Sequence, residues 1–207
     1  MDTPELLQRG NWVPQRHTVK ELRDQHVIKQ ETDYSCGAAA LATLMRFYFH
    51  DEVSEKEILD LLQQNLSPQQ KKDRAAKGFS LLELKQIAEI KGYQAAGFKM
   101  PIWELAEVVA PVIVFVEPFG YKHFAVYRGI DRGRIYLADP ARGNLRMSIG
   151  RFLDEWSGIV FVLGKPGEQD IKNYELQIPR PLFVQPELAR FNGAIDLGMI
   201  TKTLPQR

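Results

Sequence analysis

The 207-residue sequence predicts an α+β fold in which N-terminal helices pack on a C-terminal antiparallel β-sheet. Two observations carry that expectation. In the first half, apolar residues recur at helical spacing behind capping residues. From Pro111 onward the period changes to short β-branched and aromatic runs separated by turns. Helices followed by strands, rather than alternating with them, indicate segregated layers.

The chain up to about Gln25 is polar and broken by Pro4, Gly10 and Pro14, so 1–25 reads as an irregular arm ahead of the domain. Val27 to Gln30 reads as a short extended run and Thr32 to Ser35 as a turn rich in capping residues. The alanine-rich segment Cys36 to Tyr48 is almost wholly apolar, which predicts a helix buried on most of its circumference. Ile58, Leu59, Leu61 and Leu62 form an apolar stripe over Ser54 to Gln63, with Ser54 and Glu57 at capping-box spacing. Asn65 to Lys77, including the basic run Lys71-Lys72-Asp73-Arg74, reads as a solvated loop. Ser80 and Glu83 repeat the capping box ahead of a helix over Leu81 to Ile90, which Gly92 stops. A strand over Gln94 to Lys99 and a brief helix near Ile102 to Val108 follow.

Five further strands are expected: Pro111 to Glu117, Phe124 to Ile130, Arg134 to Ala138, Leu145 to Ile149 and Ile159 to Leu163. Asp131-Arg132-Gly133 fits a hairpin turn. Past Gly164 prolines punctuate a stretch with little periodicity. The domain is therefore expected over 26–164, with 165–207 an extension that wraps the domain or docks on a partner.

Lysine and arginine (27) nearly balance aspartate and glutamate (26), which leaves no positive field to hold a nucleic acid. No apolar run reaches membrane-spanning length, and the first residues lack the pattern of a signal peptide. A single cysteine rules out an internal disulfide and a multi-thiolate zinc site, so no cofactor or metal is expected.

A cysteine at a helix N-terminus beside an imidazole is favoured as thiolate, the form that attacks a carbonyl. Cys36 has that predicted placement, and Gly37 removes a side chain where a substrate backbone would approach. The Cys36 amide supplies one oxyanion donor and the side-chain amide of Gln30 a second. Of four histidines, His123 stands out because it follows a turn and opens an apolar strand. Asp139, at the end of the paired strand, is placed to accept a hydrogen bond from one ring nitrogen and leave the other facing Cys36. His17, His26 and His50 read as loop residues. Taken singly, each candidate has a bland reading: Cys36 as a small hydrophobe, His123 as a strand-end histidine, Asp139-Pro140 as a turn initiator and Gln30 as a surface residue. Their joint occurrence in a consistent chain order favours catalysis.

At these residues the sequence resembles the bacteriocin-processing cysteine peptidases, papain-like enzymes that cut leader peptides after a double glycine. The resemblance runs from about Val27 to Leu163. It rests on Gln30, Asp33-Tyr34-Ser35-Cys36-Gly37-Ala38-Ala39-Ala40-Leu41, Gly78-Phe79-Ser80, His123-Phe124-Ala125-Val126, Asp139-Pro140 with Gly143, and Trp156-Ser157-Gly158. It implies a papain-like fold, a Cys36–His123–Asp139 triad with Gln30 in the oxyanion hole, and a peptide or protein substrate with a Gly-Gly motif. Many relatives are domains of exporting ATPases. Without membrane helices or a phosphate-binding glycine loop, this chain resembles the stand-alone members found with bacterial functional-amyloid secretion systems. That implies secretion-system or amyloid components as partners and the periplasm as compartment. Two other readings use the same residues: a module that docks a leader or amyloid subunit without cutting it, and acyl transfer or amide hydrolysis on a non-protein substrate.

Overall fold

A computed structural model of the protein describes residues 18–65, 78–168 and 171–178. The described elements are α1 (Val19–Asp24), α2 (Cys36–Phe47), α3 (Glu55–Asn65), α4 (Leu81–Ile90), β1 (Gln94–Lys99), α5 (Ile102–Glu107), β2 (Val112–Val116), β3 (His123–Asp131), β4 (Arg134–Asp139), β5 (Gly143–Ser148), α6 (Ile149–Glu155) and β6 (Trp156–Gly164). All strands join one sheet in the order β1-β6-β2-β3-β4-β5, with every pairing antiparallel. The expected α+β architecture is the one observed.

Cys36 through Met45 are all buried, so α2 lies inside the molecule, between the sheet and helices α3 and α4. On that side Ile113, Phe124, Val126, Ala138 and Phe161 meet α2 and its neighbours. The alternate residues Val112, Val114, Val116, Ala125, Tyr127 and Leu137 face a second cluster with Leu105 of α5 and Phe152 of α6. Strand β2 is thus covered on both faces, which is why it reads as an unbroken apolar run. The Ser80–Glu83 capping box is complete, and Arg132 (φ 47°) with Gly133 (φ 70°) forms the two-residue turn between β3 and β4.

Three local expectations are corrected. Val27 to Gln30 joins no strand ladder; it is coil between α1 and the turn before α2. Ile149 does not extend a strand but opens α6, whose N-cap Ser148 accepts from the Arg151 amide. The lead-in is not irregular throughout: Thr18 and Glu21 make a full capping box that starts α1. Beyond Gly164, residues 171–178 lie on the domain, with Leu176 fully buried and Arg128 donating to the carbonyls of Leu176 (2.8 Å) and Gln177 (2.7 Å). Residues 1–17, 66–77, 169–170 and 179–207, and with them most of the segment expected as a solvated loop, fall outside the described residues.

Two glycines make room for these flanking segments. A β-carbon on Gly143 (φ 82°) would meet the Arg23 carbonyl at 2.6 Å, and one on Gly129 (φ 139°) would meet Ile178 at 2.8 Å. The 171–178 segment therefore belongs to the packed structure. Leu176→Ala is expected to lower stability by about 2–4 kcal/mol in urea denaturation; a change below about 0.5 kcal/mol would contradict that packing.

Candidate active site

The site is assembled where the start of α2 meets the rim of the β3–β4 pair. Cys36 is the first residue of α2, so its amide is among those the helix leaves without an internal acceptor. The turn ahead of it is closed by Ser35, whose hydroxyl accepts from the Thr32 amide at 3.1 Å and donates to the Thr32 carbonyl at 2.9 Å. That bonding replaces the side-chain helix cap expected of the Thr32 to Ser35 segment.

His123 is the first residue of β3 and Asp139 the last of β4. The register that pairs Val126 with Ala138 carries on to set Asp139 diagonally across from His123, on the same face and within side-chain reach. His123 Nε2 and Asp139 Oδ1 are 3.0 Å apart, and Cys36 lies near enough to the ring to help raise its pKa. With Nε2 taken by the carboxylate, Nδ1 is the nitrogen left for sulfur. The structure thus groups Cys36, His123 and Asp139 at one place.

Asp139 is fully buried and well provided with donors. Oδ1 also accepts from the amides of Ala141 and Arg142, each at 2.8 Å, and Oδ2 accepts from Arg142 Nε at 2.8 Å. Burial pushes this carboxyl up, but the His123 hydrogen bond and charge, with Arg142, outweigh it and hold the pKa down to about 2. Burial pushes His123 down, yet the hydrogen bond to Asp139 and the neighbouring Cys36 outweigh it and raise the pKa to about 9. The pair is therefore ionised at neutral pH.

Gln30 stands on the loop before α2, with its backbone amide bonded to the Pro140 carbonyl at 3.1 Å. That bond ties the loop to the Asp139 turn. The Gln30 side chain is folded onto its own loop: Nε2 donates to the Thr32 carbonyl at 2.9 Å, and Oε1 is buried without a hydrogen-bond partner. One of its two N–H groups remains for a ligand. Gly37 serves a purpose other than the expected one. Its missing β-carbon would meet Phe124 and Phe79 at 3.2 Å and Leu84 at 3.3 Å, so it admits core side chains, not substrate.

Three residues beyond the predicted set shape the site. Glu55 is buried and accepts the Glu31 amide at 3.2 Å, fastening the Gln30 loop to α3. Arg142 clamps Asp139, and its terminal nitrogen lies 3.7 Å from Glu155 at the end of α6. Of these, only the Asp139–Arg142 spacing gives a local signal; the Glu55 and Glu155 contacts exist only in the folded chain. His26 and His50 lie in loops as expected, although His50 approaches the Asn173 carbonyl at 3.0 Å. Trp156 is a core aromatic stacked on Phe152. Among the described residues no group of side chains is arranged to hold a metal ion.

Residues 24–168 match the Peptidase C39 family. A Pseudomonas fluorescens protein named probable functional amyloid protease FapD is 36% identical over 183 residues, covering 88% of this chain and 79% of its own length. The Pseudomonas aeruginosa protein of the same name is 33% identical over 197 residues, covering 95% of this chain and 85% of its own. Among solved structures, the peptidase domain of Streptococcus ComA superposes with a TM-score of 0.57 at 22% identity, covering 67% of this chain and 97% of that one. A double glycine motif protease from an AMS/PCAT transporter, solved with its leader peptide, gives 0.54 at 25% identity over 66% of this chain and 89% of that one.

The opposite shifts of His123 and Asp139 set the sign of a pH dependence. A base raised from 6.5 to about 9 contributes stability that is complete below pH 6.5 and lost as pH rises through 9. An acid lowered from 3.8 to about 2 contributes stability that is complete above pH 3.8 and lost as pH falls through 2. In urea denaturation the advantage of the parent over His123→Gln, at most about 3 kcal/mol, should be flat from about pH 4 to 6.5 and then decline. An advantage that stays constant to about pH 10 would contradict the ion pair.

Proposed function

The chain belongs to the peptidase C39 family, a family of cysteine peptidases, and from that premise we propose that it cleaves an exported peptide or protein after a Gly-Gly motif, with Cys36 as nucleophile. The observation that carries this reading is the grouping of Cys36 beside His123, whose ring is hydrogen-bonded to the buried Asp139. In the first step the Cys36 thiolate forms a bond to the substrate carbonyl carbon. The resulting oxyanion takes hydrogen bonds from the Cys36 amide and the free N–H of Gln30 Nε2. As the intermediate collapses, His123 Nδ1 gives its proton to the leaving amine, and a thioester remains on Cys36. Nδ1 then removes a proton from water, which attacks the thioester, and as the carboxylic acid departs the thiolate and the protonated imidazole are restored. Asp139 stays ionised throughout and holds Nε2.

Access to the sulfur supports the glycine preference. Cys36 is only 5% exposed and His123 9%, so a scissile carbonyl must descend to a nearly buried thiol. A backbone without β-carbons at that point reaches it most easily. The names of the Pseudomonas relatives support a functional-amyloid protein as substrate. On the same reading the protein works in the periplasm.

Mass spectrometry of a Gly-Gly peptide and its valine-substituted counterparts tests the specificity. Replacing either glycine should lower kcat/KM at least about 100-fold, and equal cutting would reject the narrow approach. Cys36→Ala should lower kcat roughly 10⁴-fold or more while peptide binding persists. Full biological function in that variant would instead favour a module that docks its partner without cutting it.

A further inference from the structure

Asp139 must be held more firmly than a surface carboxylate, because its negative charge is wholly buried and its Oδ1 serves His123. Oδ1 is occupied by the ring and two backbone amides, so the second oxygen decides whether the carboxylate can rotate. Its donor is Arg142 Nε at 2.8 Å. The guanidinium is itself restrained. One terminal nitrogen and Glu155 Oε2 are both buried without a hydrogen-bond partner, and they face each other at 3.7 Å.

Glu155 is bound on two further sides. Its other carboxylate oxygen accepts from Arg151 Nε at 3.2 Å, and its backbone carbonyl accepts the Glu117 amide at 2.6 Å. Glu117 leads into the Pro118–Gly120 turn, where Phe119 adopts a left-handed φ of 54°, and that turn delivers His123. One residue at the end of α6 therefore holds the approach to His123 through its backbone and the partner of Asp139 through its side chain. Charges alternate along the row His123, Asp139, Arg142, Glu155, Arg151.

Resting on the peptidase reading above, we infer that Arg142, backed by Glu155, is a positioning residue that fixes the Asp139 carboxylate so that the His123 ring can turn about its Nε2–Oδ1 hydrogen bond between sulfur and leaving group. Two features set it apart from an ordinary surface ion pair. The planar guanidinium binds through Nε, which fixes the plane of approach as a lysine ammonium cannot. Its far end is anchored on a different element, so it joins the Asp139 turn to α6.

The test compares the parent with Arg142→Ala, Arg142→Lys and Glu155→Gln, the last keeping the backbone bond to Glu117. Turnover of a Gly-Gly peptide, the rate of Cys36 alkylation by iodoacetamide at pH 7, and the thermal midpoint are measured on each. Arg142→Ala should lower kcat roughly 10- to 100-fold with KM within about twofold, and methylguanidinium should restore part of the loss. Arg142→Lys and Glu155→Gln should lose less, and alkylation should slow in the same order. Unchanged kcat and alkylation in a folded Arg142→Ala protein would overturn the inference. So would a loss that methylguanidinium cannot reverse and that Arg142→Lys shares in full. If Arg142→Ala does not fold, Arg142→Lys and Glu155→Gln decide: parent-like kcat in both overturns the role. A parent that cuts no peptide counts against the proteolytic reading alone, because Cys36 alkylation needs no substrate and still reports on Arg142.

Discussion

A single buried charge organises this end of the molecule. Removing a carboxylate from water costs several kcal/mol unless donors replace the lost hydration, and Asp139 is given an imidazole, two amides and a guanidinium. Meeting that demand shapes the surroundings. The chain turns tightly after β4 so that the amides of Ala141 and Arg142 point back, the antiparallel register sets His123 within reach, and Arg142 lies where α6 can face it. An arrangement that stabilises the folded chain also fixes a base beside a thiol, so stability and chemistry share their contacts.

The nucleophile comes from the other half of the fold. Helix α2 is held in place by apolar packing on nearly every side, while the loop ahead of it is fastened by polar bonds, to Glu55 of α3 and to Pro140 beyond Asp139. Cys36 is thus set from behind by the core and from the front by the turn that also carries the orienting carboxylate. Gly37 is essential to the first of these, since Phe124 of the sheet and Phe79 ahead of α4 close on it directly.

Much of this could be read from local sequence. The Ser80–Glu83 box located α4, the apolar run after Pro111 located β2, and the Asp131–Gly133 turn set the β3–β4 register that joins His123 to Asp139. What escaped depends on distant partners. Helix α1 buries none of its residues and has no apolar stripe; only its capping box announced it. Helix α6 has only seven residues, about two turns, directly after a strand, and Ile149 suits either element. The direction of the Gln30 amide is chosen by the Thr32 carbonyl, and the space beside Gly37 is filled by residues far along the chain. Neither is written in the neighbouring residues.

The segments flanking the domain meet on a pair of side chains. Asn144 donates to the Gln25 carbonyl at 2.7 Å and accepts from Arg128 at 2.5 Å, while Arg128 reaches on to the carbonyls of Leu176 and Gln177. Stretches far apart in the chain are therefore latched to the same strands, next to the turn that holds Asp139. Because both segments hang on Asn144 and Arg128, loosening one removes support from the other. A protease that nicks either stretch would weaken its counterpart as well.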